Sequence, residues 1–152
     1  MSSRRRARGF ALQVLCAADV RGHEVRPTLD DLWGGLSDAE DLPEDVTPTQ
    51  EEVAFARRLA EGVQKGRPTI DALIENSSTN WRVPRMPLVD RNILRLATFE
   101  LMHCDDIPGA VSINEAVELA KRFGGSDSRA FINGIIDRIG RELGRLDKEQ
   151  GP

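Results

Sequence analysis

With 152 residues, 39% of them hydrophobic and 30% charged, the chain has enough apolar material for a core and the composition of a globular protein. Its formal net charge is −4, its two cysteines and two histidines lack metal-ligand spacing, and no apolar run approaches a membrane span. A disulfide scaffold, a zinc module and a membrane-spanning chain are thereby set aside; with no signal peptide visible, the expectation is a cytoplasmic protein with reduced thiols at Cys16 and Cys104.

Charge is segregated along the chain. Arg4, Arg5, Arg6 and Arg8 precede every carboxylate, whereas nine carboxylates and no lysine or arginine fall between Asp30 and Glu52. A negative total does not bar a polyanion, because surface charges are screened over about 8 Å at physiological salt. The arginine cluster runs into a helix whose apolar stripe is Ala7, Ala11, Val14, Leu15 and Ala18, with Arg4 and Arg8 on a common polar side. Cations at a helix start oppose its dipole, so the cluster reads as a basic arm for RNA phosphates. A solvated, frayed terminus is the alternative. From Val20 to Thr47 the chain is broken by Gly22, Pro27, Gly34-Gly35 and Pro43; a short helix near Leu29 to Leu36 and an exposed acidic loop are expected there.

Thr47-Pro48-Thr49-Gln50 predicts a helix start, with a threonine cap, proline first and glutamine third. The helix is expected to run through Val53, Ala56, Leu59, Ala60 and Val63 to Gly66. Arg67-Pro68-Thr69 then predicts a turn into another helix, apolar at Ile70, Leu73 and Ile74. Trp81 precedes a proline-punctuated link, WRVPRMP, which reads as the boundary between two helical halves, roughly 1–80 and 81–146. A large aromatic at such a junction is expected as a core plug, with an exposed stacking platform as the minority reading.

Val89 to Met102 is apolar almost all round, which predicts the central helix of a bundle. Arg91, Arg95 and Thr98 share one polar stripe, and Glu100 falls on the apolar side, where a carboxylate must find a hydrogen-bond partner. A structural role, accepting amides of the following loop, is the expectation for Glu100. Ser112 and Glu115 have the spacing of a capping box, and Ile113, Ala116, Val117 and Ala120 continue as an apolar stripe. Gly124-Gly125 predicts a left-handed helix end, and Ser126, Asp127 and Ser128 offer caps for a last helix, apolar at Phe131, Ile132, Ile135, Ile136, Ile139 and Leu143. Free amides at that helix start, flanked by Lys121, Arg122 and Arg129, read as a phosphate site. Residues 147–152 are expected to be a mobile tail. Phosphate-loop, dinucleotide and zinc-protease motifs are absent from the sequence, as is a serine or cysteine nucleophile with a histidine partner. The expectation is therefore an all-α protein that binds without catalysing, with no cofactor and no metal.

RRRARGFALQVL at the start, DRNILRLATFEL from Asp90 to Leu101, and SINEAVELAKRFGGSDSRAFINGIID from Ser112 to Asp137 together resemble the NusB family of bacterial transcription factors. The likeness runs end to end and is weakest between Val20 and Pro68; each motif is an ordinary helical pattern, but their order and spacing are specific. The resemblance implies two packed three-helix bundles, about seven helices in a single RNA-binding domain, 1–152. It also implies binding to the boxA element of ribosomal RNA leader transcripts together with NusE, a small-subunit ribosomal protein. That complex joins an antitermination assembly on RNA polymerase, so that ribosomal RNA operons are transcribed without premature stopping.

Carried over by position, Arg4, Arg5, Arg6 and Arg8 match the family's arginine-rich RNA-binding motif, and Lys121, Phe123, Asp127, Arg129 and Phe131 match its second RNA-facing region. Asp90, Arg91 and Arg95 correspond to the NusE-facing side. Cys16 stands where the family often has tyrosine, Gly109 where it often has a larger side chain, and Gly9 where some relatives carry an acid. Two other readings stay open: the NusB-like RNA-binding domain of a ribosomal RNA methyltransferase, and a helical adaptor that binds only protein. A homodimer that covers its basic arm is a further arrangement the sequence admits.

Overall fold

The computed structural model describes residues 3–22 and 48–146. Among them are five α-helices, one 3-10 turn and no strand: α1 Ser3–Arg21, α2 Gln50–Ser77, the turn Val83–Arg85, α3 Leu88–His103, α4 Gly109–Phe123 and α5 Ser128–Glu142. The expected all-α class holds; the helix expected near Leu29 to Leu36 and the tail 147–152 lie outside the described residues. The chain divides into two compact units, Met1–Lys65 and Gly66–Pro152, the division falling within α2.

In the first unit the predicted stripe of α1 is buried at Ala7, Ala11, Val14, Leu15 and Ala18, with Leu12 beside it. The start of α2 is a reciprocal capping box, displaced from the expected position. Thr49 Oγ1 accepts the Glu52 amide at 3.1 Å, and Glu52 Oε1 accepts the Thr49 amide at 2.8 Å. Glutamate three residues after Thr49 closes both bonds, and the helix accordingly starts at Gln50. Phe55, Ala56, Leu59, Ala60 and Val63 supply its buried face in this unit.

The expected break at Arg67-Pro68-Thr69 does not occur, and α2 runs through Pro68 to Ser77. Proline removes one amide from the ladder and crowds the carbonyl four residues back, a penalty of about 3 kcal/mol in a helix interior. Pro68 and its neighbours are exposed, so water can take the freed carbonyl, while Ile70 and Ile74 are fully buried beyond it. Their burial decides the outcome.

In the second unit α3, α4 and α5 pack on one another pairwise. As predicted, α3 is the central helix, with Ile93, Leu94, Leu96, Ala97 and Leu101 at 1% exposure or less. Its polar stripe is not a solvent face, however. Arg95 is buried and forms a two-point ion pair with Asp71 of α2, Nε to Oδ1 at 2.9 Å and Nη2 to Oδ2 at 3.1 Å. Its Nη1 donates to Asn92 Oδ1 at 3.2 Å, and Thr98 is wholly buried. Glu100 has a structural role, but the partner seen is the Ser112 hydroxyl, accepted at 3.0 Å, rather than the loop amides expected.

That bond also explains a second displacement. Helix α4 begins at Gly109 after Pro108, so Ser112 lies within its first turns, and its hydroxyl serves Glu100 instead of a capping box. The early start requires Gly109. A Cβ there would lie 2.2 Å from the Arg145 carbonyl oxygen, a hard backbone clash. Arg145 itself turns back after α5, and its guanidinium donates to the carbonyls of Glu100, Leu101, Cys104 and Ile107. Those carbonyls end α3 and follow it, where a helix leaves acceptors without partners and favours a cation.

Candidate nucleic-acid interface

In the first unit, the four arginines of the arm do not stand equivalently. Arg4 and Arg5 are exposed, Arg6 is partly covered, and Arg8 is 2% exposed. The guanidinium groups of Arg4 and Arg8 lie 4.9 Å and 5.5 Å from the centre of the Phe55 ring, so the shared side expected for them is occupied by an aromatic face. Arg6 pairs with buried Glu52 at 3.3 Å, which joins the capping box of α2 to the arm. Phe55 was not legible as a functional residue; on α2 it falls among alanines and leucines and reads as core. What this arrangement offers a ligand is Arg4 and Arg5, exposed at the start of a helix that Arg6 and Arg8 tie to α2.

In the second unit, a groove of about 560 Å³ opens where the α4–α5 loop faces the start of α3. Trp81, Phe123 and Phe131 wall it, and Asp90, Gly124 to Ser128 and the Pro87–Val89 backbone complete it. The expectation of Trp81 as a core plug is corrected: it is 48% exposed and meets Phe131 edge-on, with centroids 6.2 Å apart and planes at 79°. Its core role is taken by Val83 and Met86 of the following turn, each 2% exposed or less. Phe123 is 37% exposed. Three aromatic surfaces around an open groove suit a flat, π-bearing ligand.

The loop is held by one hydroxyl. Ser128 Oγ accepts the Gly125 amide at 2.9 Å and donates to Asp90 Oδ1 at 2.7 Å. Both Ser128 and Asp90 are buried. Gly124 is needed for room rather than for a left-handed turn: its φ is −90°, and a Cβ would lie 2.6 Å from the Ser128 hydroxyl. The glycine amides of this loop are taken up within the protein, whereas the start of α5 has no side-chain cap. The Gly124 amide donates to the Ala120 carbonyl at 2.9 Å, the Gly125 amide to Ser128, and two carboxylates, Asp90 and Asp127, line the groove. Asp127 occupies the cap position of α5 with no side-chain cap bond.

Of the residues carried over to this region, Phe123, Asp127 and Phe131 line the groove, while Lys121 and Arg129 are exposed outside its lining. Arg122 lies over the Phe123 ring at 5.2 Å. The three residues assigned to a protein partner have internal work. Asp90 holds Ser128, Arg95 holds Asp71, and half-buried Arg91 donates from Nη1 to the carbonyls of Pro84 and Met86 at 3.3 Å and 3.4 Å. Among the described residues no group of three or more histidine, cysteine, aspartate or glutamate side chains could hold a metal, and no helix is long and apolar enough to cross a membrane.

A model of the NusB family matches residues 5–141. The chain belongs to the NusB family. Among its NusB relatives, a transcription antitermination protein NusB of Myxococcus xanthus is 44% identical over 145 residues, covering 95% of this chain and 99% of the relative. The NusB of Geotalea uraniireducens is 46% identical and covers 98% of this chain and 100% of its own. Of solved structures, NusB of T. maritima superposes with a TM-score of 0.79 at 36% identity, covering 97% of this chain and 95% of that one. A NusB solved with NusE and double-stranded RNA shares the fold at a TM-score of 0.78 and 22% identity, covering 93% and 98%. The NusB fold expected from the sequence is thus the observed one.

Proposed function

We propose that this NusB-family protein binds unpaired RNA of the boxA kind in ribosomal RNA leader transcripts, together with NusE, and supports processive transcription of ribosomal RNA operons within an antitermination complex on RNA polymerase. The observation that carries the RNA reading is the aromatic groove at the α4–α5 loop. Sequence-selective RNA recognition works mainly on single-stranded segments whose bases stack on aromatic side chains, because the deep groove of an RNA duplex keeps its base edges out of reach. Trp81, Phe123 and Phe131 supply such faces, and Arg4 and Arg5 supply phosphate contacts that attract any sequence. A solved protein of the same fold is itself in complex with NusE and double-stranded RNA, which supports both classes of partner for this chain. Of the residues set toward NusE, Arg91 keeps part of its surface outward; Asp90 and Arg95 would act through the loop and through Asp71.

The test is titration of a fluorescently labelled single-stranded leader RNA and its base-paired counterpart, with and without NusE. Single-stranded RNA should bind more tightly, and NusE should increase the affinity. Trp81→Ala and Phe131→Ala should each weaken binding by about 1–3 kcal/mol while leaving far-UV circular dichroism unchanged. A folded protein indifferent to the leader strand, even beside NusE, would end this reading.

A further inference from the structure

We propose that the groove selects one unpaired base carrying an amino group on its pairing edge (cytosine, adenine or guanine rather than uracil), and that Asp90 is the residue that reads it. This rests on the RNA-binding function proposed above and adds a specificity to the same site. Asp90 lines the groove, yet its side chain is only 4% exposed, so it forms floor rather than rim. Its Oδ1 accepts the Ser128 hydroxyl at 2.7 Å, the one hydrogen bond to this carboxylate seen among the described residues. A carboxylate only accepts, and one that lines a ligand groove is complemented by a donor. A ligand that enters this groove is therefore favoured by an N–H pointed at its floor.

The surroundings narrow the choice. A phosphate is a poor occupant, since Asp90 and Asp127 would repel it and the Gly124 and Gly125 amides are already engaged within the protein. A base fits: the aromatic walls take its faces and leave its edge to the floor. Carboxylates accept from the exocyclic amino group of cytosine, and the amino groups of adenine and guanine offer the same donor. Uracil presents its one N–H between two carbonyl oxygens, both of which the carboxylate repels. Asp90 cannot swing away to accommodate it, because Ser128 fixes the carboxylate and is itself fixed by the Gly125 amide.

The experiment uses the full chain with Trp33→Phe, which leaves Trp81 as its one tryptophan. A short leader-type RNA is altered one position at a time, cytidine to uridine and each purine to the analogue lacking its amino group. Affinity and Trp81 fluorescence are both followed. At one position, loss of the amino group should lower affinity roughly tenfold and abolish the Trp81 response. Asp90→Asn, whose amide can donate as well as accept, should flatten that preference. The proposal is overturned if RNA binds and perturbs Trp81 with no amino-dependent position, or if the preference survives in Asp90→Asn with its helicity intact. The analogue series on protein with native Asp90 decides the matter even if that variant fails to fold. RNA binding that never reports on Trp81 would remove the inference while leaving the arm's role standing; no binding at all would remove the parent function as well.

Discussion

Asp127 stands at the cap position of α5 without making a cap bond, so its charge can be altered with little structural consequence. It lines the groove beside Asp90, and a strand seated there brings phosphates within several ångströms of both carboxylates. Two like charges ~7 Å apart in water repel by about 0.6 kcal/mol. Asp127→Asn should therefore bind single-stranded RNA roughly two- to threefold more tightly at low salt. The gain should shrink as salt is added, and the helix should lose at most about 1 kcal/mol from weakened dipole complementarity. Weaker binding at unchanged helicity would instead show that the carboxylate touches the ligand. Much at this scale was invisible in sequence. Helical spacing could not tell that Trp81 faces outward or that Arg8 is buried against Phe55, because both depend on which apolar neighbour reaches the core first. Val83 and Met86 win that competition over Trp81.

Helix existence was legible throughout the described residues, and the misplaced ends share one cause. Local signals were read singly where tertiary partners chose among them. Thr49 serves as the cap because Glu52 completes it and is itself held by Arg6. Ser112 is lost as a cap because buried Glu100 needs its hydroxyl more. Pro68 fails to break α2 because two isoleucines beyond it are buried. The end of α3 shows the same dependence on distant residues: four backbone carbonyls converge on Arg145, and Gly109 makes room for its backbone. Arg145→Ala should cost about 2–4 kcal/mol in urea unfolding, since charge-assisted bonds are lost and the part-buried Leu101 and Ile107 carbonyls lose their donor. Gly109→Ala should destabilise comparably by forcing that backbone aside. Arg145→Lys should recover only part of the loss, because an ammonium has three donors and no planar fork. Equal stability of all three with the parent protein would refute the cap.

For the molecule as a whole, the sequence showed that a chain of net charge −4 could still carry a cationic end, but not how many of its arginines reach solvent. The structure turns a count of four into two exposed, one partly covered and one buried. Each phosphate neutralised on single-stranded RNA contributes about −0.7 to the slope of log K against log salt. Arg4→Ala and Arg5→Ala should each flatten the slope by about that amount. Arg8→Ala should change it less and instead lower thermal stability, as Phe55 loses the buried one of its two cations. Equal slope changes at all of these positions would mean that the arm rearranges on binding. The groove contributes little to this dependence, having aromatic walls and an acidic floor. Attraction and selection are thus assigned to different surfaces, the first screened by salt and the second largely indifferent to it.

The part played by Arg145 also sets where the chain can be shortened. The pattern shared with the family closes at residue 141, and a trimmed version ending there would retain every helix core yet forfeit the guanidinium that seals the central one. Proteolysis just beyond Glu142 should consequently loosen α3 from a distance, whereas clipping after Leu146 spares that seal.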